Sequence, residues 1–249
     1  MNKIIKGAVG CIAILTATAT ANAQSFGQYL NDAEHVVKGN GGGSSISNLT
    51  SGDIASGLKQ ALQVGAQNAG KQLSSLNGYF GNQLIKILMP PEAQKVTDRL
   101  RDMGLGDKVD QAILSMNRAA EDAATKAVPI FINAITSMSI EDGINILKGN
   151  KDAATQYLKA KTTIALTAAF KPVIQQSLDK VDATKYWNDI FRTYNQIPFV
   201  SKVNPDLPAY VTDRALSGLF VTIAQEEAKI RQNPAARTTD LLQKVFGAK

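Results

Sequence analysis

Apolar residues recur every three or four positions along most of this chain, the spacing that lines one face of an α-helix. From Asp53 to Leu76 the stripe is Ile54, Leu58, Ala61, Leu62, Gly65, Ala69 and Leu73. Gly65 and Gly70 cost helix propensity there, and close packing against another helix would explain them. Leu76 to Pro91 loses the rhythm. Within it, Leu84 to Met89 reads equally as a short strand or a helical turn, until Pro90-Pro91 ends it. Glu92 to Met103 predicts a helix closed by Gly104. The longest periodic stretch, Asp107 to Met138, must kink or split at Pro129, which lacks an amide donor. Ser139 caps a short helix with Asp142 in its first turn, and Gly149 stops it. Asp152 to Val181 continues, interrupted at Pro172. Thr184 to Gln196 carries Tyr186, Trp187, Ile190, Phe191 and Tyr194 at helical spacing, either core packing or an aromatic wall facing a ligand. Pro198, Pro205 and Pro208 mark a loop before a long helix, Ala209 to Gln232. Pro234 breaks the pattern, and Thr239 to Phe246 closes it.

These elements predict an all-α fold. The expectation is one bundle domain of about seven to nine helices over residues 53–249. A short two-stranded pairing of Leu84–Met89 with Phe199–Val203 is an optional addition. No repeat of 20–50 residues recurs.

The beginning of the chain reads differently. Lys3 and Lys6 precede a short apolar run, and Ala21-Asn22-Ala23 forms a small-x-small site. That pattern is a secretory signal peptide over residues 1–23, of bacterial style, cleaved after Ala23 and directing the chain to the periplasm. The apolar run is too short to span a bilayer, and no later segment predicts a transmembrane helix. An uncut membrane anchor and lipidation at Cys11 are the weaker alternatives, since Ala8-Val9-Gly10-Cys11 is a poor lipobox. Residues 24–52 predict a short N-terminal helix and then a Gly/Ser-rich linker around Gly39 to Ser45.

Composition narrows the chemistry. The 249 residues include one Cys and one His. Structural zinc, histidine-ligated haem, cysteine proteases and Ser-His-Asp triads all need more than that, so neither a metal nor a cofactor is implied. The lone His35 lacks co-ligands. The Gly-rich run has no Lys-Ser/Thr after it and is no phosphate loop. Asp152, Asp179 and Asp182 lack calcium-loop spacing, and no Gly-x-Ser-x-Gly elbow occurs. The net charge is +6, with lysines frequent from 148 to 185 but diluted by aspartates. No nucleic-acid motif accompanies them, and a weak attraction to anionic membrane surfaces is the most that charge implies.

Four polar patterns sit inside otherwise apolar helices: Asn117-Arg118-Ala119-Ala120-Glu121, Asp142 to Gly149, Ala154-Thr155-Gln156-Tyr157, and Glu227 to Thr239. In this order they resemble the bacterial domain-of-unknown-function family 4197, from about Ile54 to Gly247. The resemblance implies an exported, mainly helical protein and carries no activity over. Leu158 stands where members often have Phe, and Gly143 where they often have Ala.

The candidate network is Asn117, Arg118, Glu121, Asp142, Thr155, Tyr157, Glu227, Arg231 and Arg237. Glu227 and Arg231 form an i, i+4 pair in the favourable order. Arg118 and Arg237 are placed to complete a network with Glu121, Asp142 and Glu227. Three roles fit such a set: a lock on helix packing, a site where arginine grips an acidic ligand, or an acid–base pair of carboxylates. The leading functional expectation is a periplasmic, non-enzymatic binding or interaction protein for a small molecule or an envelope protein. A carboxylate-dependent hydrolase of an envelope polymer and a structural envelope factor are the alternatives.

Overall fold

The computed structural model describes residues 50–196, 198–199, 202–203 and 206–232, all within one compact unit, Ile46–Lys249. The signal peptide, Cys11, His35, the N-terminal helix and linker, Arg237 and the closing Thr239–Phe246 helix lie outside the described residues.

Among the described residues eight α-helices form, in the order α1 Ser51–Leu73, α2 Gln94–Asp102, α3 Gly106–Ala124, α4 Ala127–Thr136, α5 Ile140–Lys148, α6 Ala153–Asp179, α7 Ala183–Tyr194 and α8 Leu207–Gln232. The all-α expectation holds. Two of the starts have a local, reciprocal side-chain cap. Thr50 Oγ1 accepts from Asp53 N at 3.1 Å, while the Asp53 carboxylate accepts from Thr50 N at 3.0 Å. This reciprocal capping box starts α1 two residues ahead of the periodic stripe. Ser139 and Asp142 repeat it at α5. A 3-10 turn, Pro91–Ala93, leads into α2, and Gly104 beyond its end takes φ +78, where a side chain would be strained.

The two prolines behave differently. The long stretch divides at Thr125-Lys126, so Pro129 sits in the first turn of α4, where a missing donor costs no helical bond. Pro172 does not interrupt α6, which runs through it to Asp179. Phe170, Ile174 and Leu178 are fully buried on either side of it, and their burial holds the helix together against the lost bond.

The helices α6 and α8 pack along each other. On them, α1 lies against α8, α4 and α5, while α3 lies against α6 and α8. Phe131 of α4 meets Phe220 of α8 edge to face, 6.1 Å between centroids. Small residues set the spacing. A Cβ on Gly65 would lie 3.4 Å from Glu226 Cβ, and one on Gly70 would lie 2.3 Å from Val128 Cγ2. Gly70, which weakens α1 alone, therefore lets α4 approach it, whereas a Cβ on Gly65 would meet Glu226 at ordinary contact distance.

No strand forms among the described residues, so none of the expected two-stranded pairing is found there; residues 200 and 201 of its second segment lie outside them. The extended segments instead pair with asparagine side chains. Ile87 N donates to Asn117 Oδ1 at 2.9 Å, and Asn117 Nδ2 donates back to Ile87 O at 2.8 Å. Val203 N donates to Asn195 Oδ1 at 2.8 Å, and Asn195 Nδ2 donates to Val203 O at 2.7 Å. A carboxamide presents the same donor and acceptor as a strand backbone, so one side chain satisfies a buried extended residue without a partner strand.

Candidate functional site

The polar residues singled out by sequence do not converge. Besides Asn117, which holds Ile87, those among the described residues fall into three sets: one ties α3 to the segment 77–80, and two join helices. On α3, buried Glu121 accepts the backbone N–H groups of Tyr79 and Phe80 through Oε1, both at 3.1 Å. Its Oε2 pairs with Arg118, whose other nitrogen donates to Asn77 Oδ1 at 2.9 Å. Arg118 also lies over the Phe80 ring, 5.7 Å from its centroid. Tyr79 is sealed in the core and donates its hydroxyl to Ala215 O at 2.8 Å. Burial, then the Glu121 charge, pushes that phenol well above its ordinary value, so it remains a donor.

A second junction lies at the start of α6. Asp152 occupies the cap position but its side chain caps nothing. Buried Glu227 of α8 supplies the cap, accepting Ala154 N at 3.0 Å and Thr155 N at 2.8 Å. The Thr155 hydroxyl donates to it at 2.7 Å. Arg231 Nε donates to Glu227 at 2.9 Å, and its Nη2 reaches Ile146 O, at the end of α5, at 3.0 Å. One carboxylate and one guanidinium thus join α5, α6 and α8 at the exposed ends of their backbones.

Asp142 forms the third. Its carboxylate completes the α5 cap with Ser139, and Tyr157 and Lys161 approach it from α6. The backbone N–H and then the hydroxyl of Ser139 hold its pKa below the ordinary carboxylate value. Of these three acids, Arg118 pairs with Glu121.

A cavity of about 740 Å³ opens elsewhere, walled by α2, α3 and α7. That volume lies within the range of about 300–1,000 Å³ common for small-ligand sites. Val96, Thr97 and Leu100 come from α2. Val109, Ala112 and Met116 come from α3. Trp187 and Phe191 come from α7, and Leu207 begins α8. Thr97, Val109, Met116, Trp187, Phe191 and Leu207 are buried and form the floor. Leu105, Lys108, Gln111 and Val181 are exposed and form the rim. The floor is built by aromatic packing: Trp187 and Phe191 lie 4.3 Å apart between centroids, and Tyr210 stacks on Trp187 at 6.5 Å.

Of the aromatic stripe, Trp187 and Phe191 pack on each other and line the cavity. Lys108 and the cavity itself were not legible in sequence. Lys108 is one lysine among many, and no local pattern records that α2 and α7 stand apart above α3. Asn195 was equally silent, because a clamp depends on which extended residue comes to lie beside it.

One family model, described as protein of unknown function (DUF4197), matches residues 48–247. No curated protein and no solved structure matches the chain.

Proposed function

The chain belongs to the DUF4197 family of proteins of unknown function, and from its cavity we propose that it is an exported, non-enzymatic binding protein for an apolar small molecule. The single observation that carries this reading is the 740 Å³ cavity with its buried apolar floor. Transferring apolar surface from water to such a floor is favourable by about 0.8 kcal/mol per CH₂ group. A ligand of modest length would therefore bind without many polar contacts. The export part of the reading rests on the signal-peptide pattern of residues 1–23.

The hydrolase alternative has less support. Glu121 and Glu227 each accept two backbone N–H groups and an arginine, and Asp142 is committed to a helix cap. Those bonds suit carboxylates that hold helices in register.

The chain carries one tryptophan, and Trp187 lies on the cavity floor. Its fluorescence is a built-in reporter. Titrating the mature protein with an apolar probe such as 1-aminonaphthalene should shift or quench Trp187 emission in a saturable way. A flat response across apolar probes of several shapes would sink the proposal. Native mass spectrometry of protein taken from the periplasm would then weigh the natural occupant.

A further inference from the structure

Resting on the reading of the cavity as a ligand site, we infer that its occupant is an anionic amphiphile, an acyl chain on the floor with its charged head held at the rim by Lys108. The lining is graded from apolar to polar. On the floor and inner wall, the two hydroxyl protons are already spent within their own helices. Thr97 Oγ1 donates to Ala93 O at 3.0 Å, and Ser115 Oγ donates to Gln111 O at 2.8 Å. A polar head placed there would give up water without gaining a donor, which is unfavourable.

The uncommitted polar groups stand at the rim. Lys108 and Gln111 are three residues apart on α3, so both project from one face toward the opening. Neither side chain makes a hydrogen bond or ion pair among the described residues. The nearby acids do not neutralise Lys108. Asp110 is taken by Arg101 at 2.5 Å, and Asp107, one residue away, projects from a different part of the helix surface. An unspent ammonium with three donors above an apolar floor matches a carboxylate or phosphate head on a long chain.

The test compares dodecanoate, dodecanol and dodecylamine, each read by Trp187 emission below its self-association limit. Lys108 is exposed, so Lys108→Glu should leave the urea midpoint unchanged. In the unaltered protein dodecanoate should bind up to about five-fold more tightly than in Lys108→Glu, the size expected of an exposed ion pair. Dodecylamine should move the opposite way, and dodecanol should not move. The dodecanoate advantage should fade with added salt. If each of the three ligands binds with the same affinity in both proteins, the head-group inference is overturned while the cavity reading stands. If none of the three changes Trp187 emission, both fall together.

Discussion

Glu227 reaches across from α8 to cap α6, a helix whose own cap residue leaves its first amides unsatisfied. Removing the carboxylate would leave two buried N–H groups and the Thr155 hydroxyl without their acceptor, and would break the ion pair with Arg231. Glu227→Ala should therefore cost about 3–5 kcal/mol, read as a lower urea midpoint. Glu227→Gln keeps one carbonyl acceptor and should cost clearly less. Equal losses in the two variants would mean that the negative charge paired with Arg231, which both variants remove, matters more than the acceptor that Gln keeps. Asp142 gives a pH test. Ser139 holds its folded pKa below the unfolded value of about 3.9. The unfolded chain thus binds the proton more readily, so the stabilisation is complete above about pH 4 and is lost as pH falls through the lower folded value. Asp142→Asn should be less stable than the parent at neutral pH, and the two urea midpoints should converge in acid.

At the scale of elements, two glycines make opposite predictions. Gly70→Ala places a methyl 2.3 Å from Val128 Cγ2, so the Val128 side chain or the α1–α4 spacing must shift. The cost should be about 1–3 kcal/mol despite the better helix propensity. Gly143→Ala places its methyl 3.4 Å from Ala55 Cβ, an ordinary contact, and should be neutral or stabilising by up to about 1 kcal/mol. Thermal melts of both variants distinguish the cases. Helix existence was legible throughout these elements because a helix satisfies its backbone locally and its apolar stripe repeats in sequence. The strand pairing at Leu84–Met89 was not, because an extended residue needs a partner from elsewhere. Asn117 was visible as a polar residue in an apolar helix, yet its partner, Ile87, lies 30 positions away. Pro172 misled for a related reason, since the local cost it imposes is outweighed by burial on both sides.

At the scale of the molecule, filling the cavity should separate its ligand role from its packing role. Ala112 is half-buried and faces the space. Ala112→Phe should abolish the Trp187 response while leaving the unfolding midpoint unchanged or higher. In the parent, ligand at a hundred times its dissociation constant should stabilise by about 2.7 kcal/mol, and that shift should vanish in the variant. A retained shift would place the ligand elsewhere. The sequence by itself determined the all-α class, the helix start at Ser139, and the polar residues worth following. Each depends on groups within a few positions of one another. Only the tertiary structure decided that those polar residues fall into separate sets instead of one site, and that Trp187 and Phe191 line a cavity. Those outcomes depend on distances between segments far apart in the chain, set when the apolar faces of all the helices are buried together.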